Sequence, residues 1–226
     1  MITLGIIGVV AALTLPPLIQ HYKDKATVVR LKKVYSTFSQ AHEFLKNDDE
    51  YTPEQWNLIA NNSIVGAENI LKYYMKYVKS LKICNRNNGC FPKDLKYKNL
   101  KGNANYFVID SYQNFAKAIM NDGTLVYAWA NTASCTDSVS HCGTITVDVN
   151  GYKAPNQLGV DTFEFYMLPK GIYPASADPS DANARCSRKN SNMHNGKSCT
   201  KWVLLYENLD YRYCDGLSFN GKHKCK

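Results

Sequence analysis

The stretch MITLGIIGVVAALTLPPLIQ, residues 1–20, carries no charged side chain and leads directly into a basic segment with a helical pattern. About twenty apolar residues are the length that an α-helix needs to cross a bilayer. A cleaved secretory signal is disfavoured because no Lys or Arg precedes Ile2. A buried core helix is disfavoured because the run is apolar on every side. We therefore expect residues 1–20 to form a membrane helix.

The composition of this run is typical of a helix that packs against other helices. Small residues at spacings of three and four let a second backbone approach closely in lipid. The adjacent Pro16 and Pro17 remove two backbone donors, which costs a soluble helix about 3 kcal/mol per site, so we expect a local bend there. The small residues predicted to make the close helix contacts are Gly5, Gly8, Ala11 and Ala12.

The helical pattern continues beyond residue 20 as an amphipathic segment. One helix from Ile2 to about Lys46 would be roughly 65 Å long at 1.5 Å per residue. We expect its first half, residues 1–20, to lie in lipid or in a filament core. We expect its second half, residues 21–46, to belong to a head formed by residues 21–226. Within that head, it should pack on the remaining residues. The apolar stripe of this second half consists of Leu31, Val34, Tyr35, Phe38, Ala41 and Leu45.

The segments TLGIIGVVAALTLPPLIQHY, residues 3–22, and VVRLKKVYSTFSQA, residues 28–41, closely resemble the N-terminal region of type IV pilin-like proteins. This family comprises the pilins and the pseudopilins of type II secretion systems, and the resemblance covers about the first 45 residues. It implies a structural subunit and not an enzyme, held in the inner membrane by a single helix with its head outside the cytoplasm. It also implies that the helix packs into a filament core, with other pilin-like subunits and the assembly machinery as partners.

One part of the family pattern is missing from this chain. Pilin-like precursors have a basic leader that ends in Gly, is cut before a Phe or similar residue by a prepilin peptidase, and is followed by a Glu that helps set subunit register. No residue here can take the cleavage or the Glu role. We interpret Met1 as an internal start and expect the upstream codons to encode the leader in frame. An in-frame stop directly before Met1 would contradict this interpretation.

The remaining sequence predicts one α+β head, because 45% apolar and 12% aromatic residues provide enough material for one core. Asn121, Asp122 and Gly123 indicate a hairpin, and residues 175–200 have the composition of a long surface loop. We expect an antiparallel sheet packed on the amphipathic half of the first helix. The predicted helices span residues 53–60 and 67–82, and the predicted strands span residues 106–110, 115–120, 124–130, 144–149, 161–168 and 201–206.

The eight cysteines favour disulfides and an oxidising compartment. No C-x-x-C spacing occurs, and a zinc site built from Cys135, His141 and Cys142 lacks the usual ligand spacing. Eight cysteines allow 105 connectivities, so the pairing stays open at this stage. The cysteines occur as sequence neighbours that suggest disulfide-stapled loops: Cys84 with Cys90, Cys135 with Cys142, Cys186 with Cys199, and Cys214 with Cys225.

Motifs for catalysis are absent, and one acidic segment could bind calcium. The sequence contains no G-x-S-x-G, no H-E-x-x-H and no phosphate loop. In DVNGYKAPNQLGVD, residues 148–161, the side chains of Asp148, Asn150 and Asp161 offer oxygen ligands near a Gly turn, and some major pseudopilins bind calcium in a C-terminal loop. The alternative is a turn that joins two strands, because the spacing does not match an EF-hand.

A net charge of +8 raises the question of nucleic-acid binding. Tyr73, Tyr77 and Tyr97 lie among the lysines and could stack on bases or face an anionic cell surface, although a solvated basic face is the simpler interpretation. The alternative to a filament subunit is therefore a membrane-tethered, disulfide-rich domain that binds a surface or DNA and does not polymerise. The basic residues in question are Lys72, Lys76, Lys79, Lys82, Lys93, Lys96, Lys98 and Lys101.

Overall fold

A computed structural model describes residues 2–48, residue 58 and residues 64–225 of the chain. Its dominant element is helix α1, which runs from Ile2 to Lys46 and contains Pro16 and Pro17 in its interior. The predicted extent of the first helix is therefore confirmed. Among the described residues, however, no helix combines the length and the apolarity that a membrane crossing requires. The membrane role of residues 1–20 accordingly stays a prediction.

The second half of α1 is the centre of the main hydrophobic core. The predicted stripe faces inward, and all of its members are buried except Tyr35, which is partly exposed and stacks on Phe165 with ring centroids 5.6 Å apart. Burying a side chain of this size contributes about 1.5–3 kcal/mol, so the stripe holds the helix firmly on the sheet. Helix α2, Ile64–Tyr74, packs beside it and against the sheet.

A six-stranded antiparallel sheet lies on these helices in the strand order β1-β4-β5-β6-β7-β8, and β2 pairs with β3 in a separate ribbon. The predicted α+β class and the antiparallel sheet on α1 are confirmed. The strands are β1 (Ser80–Asn85), β2 (Lys96–Lys98), β3 (Ala104–Val108), β4 (Ala116–Met120), β5 (Leu125–Ala130), β6 (Gly143–Asp148), β7 (Thr162–Leu168) and β8 (Gly171–Pro174).

The two faces of this sheet have different surroundings. On β7, Phe163 and Phe165 belong to the core under α1, whereas Glu164 and Tyr166 point to the opposite, outer face, as the strand period of two requires. The outer face of β4 and β5 carries a second apolar cluster that includes Tyr97 of the β2–β3 ribbon. The sheet is therefore covered on both sides, by helices on the inner face and by the ribbon on part of the outer face.

The hairpin predicted between β4 and β5 is confirmed. Gly123 has φ +85°, a left-handed conformation that glycine adopts without strain. The backbone amide of Thr124 donates to the Asp122 carboxylate at 3.1 Å, and the amide of Gly123 donates to the Met120 carbonyl at 2.9 Å. Both hydrogen bonds close the turn locally, which is why its position could be predicted from three residues.

Two predictions about secondary structure are wrong, and one lies largely outside the described residues. Residues 201–206 form a helix, α3 (Thr200–Tyr206), because Trp202 and Val203 both face the core while Leu205 is exposed, and a strand would place neighbours on opposite faces. The helix predicted over 67–82 ends at Tyr74, since the following chain pairs with β4 as strand β1. Of the helix predicted over 53–60, only Leu58 is described.

All eight cysteines form disulfides between sequence neighbours, which confirms the suggested pairing and leaves no thiol for a zinc site at Cys135 and Cys142. Cys135 and Cys142, like Cys186 and Cys199, are fully buried against the main core. The segment 175–200 is irregular apart from one short turn of 3-10 helix, as expected for a loop. The pairs are Cys84–Cys90, Cys135–Cys142, Cys186–Cys199 and Cys214–Cys225.

Candidate functional site

The N-terminal part of α1 exposes a continuous apolar surface. Six large side chains between residues 9 and 19 are 51–72% exposed, and Ala12 beside them is exposed as well. Of the small residues predicted to make helix contacts, Gly5 and Gly8 lie in the same helix, with Ala11 partly exposed. All four predicted contact residues therefore lie in α1, and their role in helix packing stays a prediction. The large exposed side chains are Val9, Val10, Leu13, Leu15, Leu18 and Ile19.

Asp24 marks the point at which α1 meets the head. Arg212 donates to its Oδ1 at 2.9 Å, Tyr213 donates to its Oδ2 at 2.6 Å, and Gln20 donates to Oδ1 at 2.8 Å. The side chains of Asp24 and Arg212 are both more than four-fifths buried. Burial and the hydrogen bond to Asp24 raise the pKa of Tyr213 to about 12, so this phenol keeps its proton and stays a donor at neutral pH.

Replacing Asp24 by alanine is expected to cost about 2–3 kcal/mol of unfolding free energy. The change removes the acceptor of three donors and leaves the buried Arg212 guanidinium without its carboxylate. Urea denaturation would measure the loss. Asp137→Ala is the matched control, because the Asp137–Lys170 pair is largely exposed to solvent and should contribute little to stability. Equal losses in both variants would contradict the role given to Asp24.

A cleft of about 470 Å³ opens on the outer face of the sheet. Strand register places Trp129, Thr144 and Tyr166 side by side in one row across β5, β6 and β7. Adjacent strands are about 4.8 Å apart, so the two aromatic residues flank the threonine at a backbone separation of about 10 Å. Tyr112 stacks on Trp129 at 6.1 Å and 14° between ring planes, which extends the aromatic wall. Thr144 forms the floor between the two walls.

The next row across the same strands is Tyr127, Thr146 and Glu164. Glu164 is 4% exposed, and its Oε2 accepts a hydrogen bond from Lys197 at 2.9 Å and one from the Thr146 hydroxyl at 3.4 Å. Lys197 comes from the loop that Cys186–Cys199 closes. The inner end of the cleft therefore contains a buried ion pair whose two charges compensate each other.

Two histidines line the cleft beside this ion pair. His141 stacks on Tyr166 with ring centroids 4.6 Å apart. Nδ1 of His194 is buried and has no hydrogen-bond partner in the part of the chain that the structure describes. Burial lowers the pKa of both imidazoles, and the charges of Lys197 and Arg185 lower that of His194 further, against an opposing effect of Glu164. Both rings are neutral at pH 7, so each offers one donor and one acceptor.

The residues predicted to bind calcium lie together at the end of β6 and the start of β7. Asn150 Nδ2 donates to Asp161 Oδ2 at 3.1 Å, and the backbone amide of Asn150 donates to Asp148 Oδ1 at 3.2 Å. Asp161 also accepts from the amides of Asn156 and Gln157 at 2.9 and 2.6 Å. Within the described ranges, no group of three or more His, Cys, Asp or Glu side chains is arranged to hold a metal ion. Calcium binding stays a prediction.

Replacing Asp148 by asparagine is expected to raise the melting temperature at pH 7. Burial raises the pKa of Asp148 well above its ordinary value, and the neighbouring Asp161 charge raises it further. The Asp148 carboxyl therefore binds its proton more tightly in the folded state than in the unfolded state. At high pH, where the carboxyl must lose this proton or hold it against the solvent, the fold is destabilised, and this destabilisation disappears as the pH falls. The advantage of Asp148→Asn should therefore shrink toward about pH 4. Thermal unfolding across this pH range checks it, and a destabilised variant at pH 7 contradicts it.

The basic residues considered for nucleic-acid binding do not lie on one helix. Lys72 is on α2, Lys82 is on β1, and Lys96 and Lys98 are on β2. All eight lysines are exposed, but Tyr97 is 1% exposed and its ring cannot stack on a base without rearrangement. The tyrosine and lysine pattern therefore does not form a continuous aromatic platform, and nucleic-acid binding stays a prediction.

These features define a disulfide-stapled α+β head on a long N-terminal helix. A family model described as "Family of unknown function (DUF6613)" matches residues 17–184, about three quarters of the chain. The chain therefore belongs to this family. The match includes the six-stranded sheet and leaves out residues 1–16 and the loop closed by Cys186–Cys199. No curated protein and no solved structure matches the chain.

Sequence reasoning did not identify the cleft. A signal exists in the strands, because Tyr127 with Trp129 and Thr144 with Thr146 occupy alternate positions and therefore share one face. This alternation shows that the outer face is aromatic and polar. It does not show which residues meet, since the row of Trp129, Thr144 and Tyr166 depends on the register of three strands. The sequence also contained no signal that His194 and Lys197, from the loop 186–199, would line the cleft.

Proposed function

We propose that the chain is a pilin-like structural subunit of a type II secretion or type IV pilus-like apparatus, and that it assembles through the N-terminal half of α1. In this proposal, the helix is held in the inner membrane before assembly and lies in the filament core afterwards. The head faces the periplasm or the cell surface. The proposed partners are other pilin-like subunits, the assembly machinery and, if the expected leader is encoded, a prepilin peptidase.

The observation that carries this proposal is the exposed apolar surface between Val9 and Ile19. A contiguous apolar surface of this kind marks contact with lipid or with another protein. The same helix continues into the stripe buried under the sheet, so a contact made by its N-terminal half would position the head directly. The small residues of this half support close packing between helices.

The disulfides support a head outside the cytoplasm. Disulfides persist in oxidising compartments and are rare in cytosolic proteins, and all eight cysteines of this chain are paired. The proposed mechanism is lateral helix packing without a chemical step, with Gly5, Gly8, Ala11 and Ala12 at the closest contacts.

The second candidate is a membrane-tethered binding domain that does not polymerise. The cleft on the outer face favours it, because a ligand site can serve a tethered domain without any assembly. The two candidates differ in one physical respect. A filament subunit brings α1 of one copy against α1 of the next, whereas a tethered domain surrounds its helix with lipid.

Site-specific photo-crosslinking in membranes of the native host tests the proposal. A photoreactive residue at Leu13, which is 72% exposed, is expected to give a ladder of dimers and higher multimers. The same residue at Tyr152 in the head is the control for random collision. Ala12→Leu should weaken the ladder because it adds bulk at a close contact. Val9→Leu, which enlarges a residue that is already large, should leave it unchanged. A product that stays monomeric at Leu13 contradicts assembly and favours the tether.

A further inference from the structure

The cleft on the outer face of the sheet has a composition that selects for a particular ligand chemistry. One wall is aromatic, with Tyr112 and Trp129 stacked and both partly exposed to the cavity. The opposite wall carries Tyr166 with His141 stacked on it, and the floor is polar, from Thr144 to Glu164. Its volume of about 470 Å³ falls within the range of about 300–1,000 Å³ that small-molecule sites occupy. The cleft therefore suits a ligand with one apolar face and a polar edge.

The charges in the cleft argue against an anionic ligand. Lys197 is already paired with Glu164, with 2.9 Å between Nζ and the carboxylate oxygen. Arg185 is exposed at the rim. To bind a ligand phosphate or carboxylate at the floor, Lys197 would have to leave Glu164, whose side chain is only 5% exposed. Leaving the buried Glu164 carboxylate unpaired is costly in free energy.

The hydrogen-bonding groups instead match hydroxyls. Threonine and tyrosine hydroxyls, the Asn131 amide and neutral imidazoles can each both donate and accept, which is what a sugar hydroxyl also does. His141 and His194 both line the cleft beside these groups.

We propose that this cleft binds a neutral pyranose sugar, with the ring's C–H face on Trp129 and Tyr112 and its hydroxyls toward Thr144 and His194. The electron-rich face of an aromatic ring attracts the weakly positive C–H groups of a sugar, and the polar floor orients the hydroxyls. The site is independent of whether α1 assembles, because it lies on the face of the sheet opposite α1. A glycan that carries such a unit is the corresponding natural ligand.

Binding should be measured with the full chain in a zwitterionic detergent, since a maltoside or glucoside head group would compete for the site. Methyl glycosides of glucose, galactose, mannose and N-acetylglucosamine are the probes, with glucuronic acid as the acidic comparator. Saturation-transfer NMR and calorimetry report the affinity. We expect at least one neutral glycoside to bind with a dissociation constant of roughly 1 mM, and we expect the affinity to be insensitive to salt.

Three variants locate the site. Trp129→Ala removes the stacking surface, and Thr144→Val removes a floor hydroxyl while keeping a β-branched shape that strands favour. Each should weaken binding at least about tenfold. Thr144→Val keeps the test decisive if Trp129→Ala does not fold. Tyr22→Ala, which removes an aromatic ring that is 74% exposed on α1, should not change the affinity.

Three results would overturn the proposal. The first is the absence of binding by every glycoside at roughly 10 mM, about ten times the expected dissociation constant. The second is binding that Trp129→Ala and Thr144→Val leave unchanged, which would place the sugar elsewhere. The third is binding by the acidic sugar alone with strong salt dependence, which would contradict the neutral ligand class.

Discussion

Replacing Asp110 by alanine is expected to reduce the unfolding free energy by about 3–5 kcal/mol, because three backbone amides lose their acceptor and each buried donor left unsatisfied costs about 1–3 kcal/mol. Asp110 is 2% exposed and accepts hydrogen bonds from the backbone amides of Gly89, Cys90 and Phe91 at 2.7, 3.0 and 2.9 Å. Its own carbonyl accepts a hydrogen bond from the fully buried Lys117. One carboxylate therefore holds the Cys84–Cys90 loop on the outer face of the sheet.

The effect of Asp110→Ala should depend on pH with a definite sign. Burial alone would raise the pKa of Asp110, but the amides of Gly89 and Phe91, with further help from Lys117 and Cys90, lower it below its ordinary value. A carboxyl with a depressed folded pKa stabilises the fold above its unfolded pKa, and this stabilisation is lost as the pH falls through the folded value. The difference between the wild type and Asp110→Ala should therefore shrink below about pH 4.

Two comparisons make this prediction specific. Asp181→Ala is the control, because Asp181 is exposed and its carboxylate accepts a hydrogen bond from the backbone amide of Asn183 at 2.8 Å. It should cost less than about 1.5 kcal/mol. Lys117→Met removes the buried ammonium and leaves the three amide bonds to Asp110 in place. Denaturation curves in which Asp110→Ala and Asp181→Ala lose the same stability would contradict the account of this loop.

Removing the Cys186–Cys199 disulfide with the double variant Cys186→Ala/Cys199→Ala is expected to cost about 3 kcal/mol. The two cysteines are 13 residues apart. A cross-link that closes a loop of this length lowers the entropy of the unfolded chain, which stabilises the fold by about 3 kcal/mol. Both sulfurs lie in the main core, so the variant also leaves two buried positions smaller. Urea denaturation under oxidising conditions measures the total loss.

The same double variant should also disturb the cleft. Removal of the Cys214–Cys225 disulfide should not have this effect. The loop that Cys186–Cys199 closes carries His194 and Lys197, two residues of the cleft wall. Hydrogen exchange of residues 186–199 should therefore rise well above the wild-type rate. The matched control, Cys214→Ala/Cys225→Ala, removes a disulfide of similar separation outside the cleft. It should cost a similar free energy and leave exchange of residues 186–199 unchanged. Equal exchange in both variants would contradict this role of the loop.

The sequence predicted best those elements whose pattern is local and repeated. Helix α1 was predicted to end at about Lys46 because its apolar residues recur every three or four positions over a long segment, and strands β4 to β7 were predicted within about one residue at each end. The hairpin at Gly123 depends on three adjacent residues. Disulfides between sequence neighbours likewise depend on short loops, which is why the suggested pairing was correct.

The failures have a common physical cause. The segment 201–206 has strand-like residue types, yet tertiary packing of Trp202 and Val203 makes it a helix. The end of α2 at Tyr74 reflects the pairing of β1 with a strand more than thirty residues away. The cleft depends on the register of β5, β6 and β7 and on a disulfide-closed loop. Each of these features is decided by contacts between distant parts of the chain.

The proposed assembly through α1 is tested most directly by the state of the chain in its native host when the secretion or pilus machinery is active. The native gene, with its upstream codons intact and a small epitope tag in the head, would be expressed at its natural level. Surface filaments would then be sheared off and imaged by immunogold electron microscopy. The account predicts tagged chains at regular intervals along the filaments. Tagged chains that remain dispersed as membrane-bound monomers, with unlabelled filaments beside them, would contradict it.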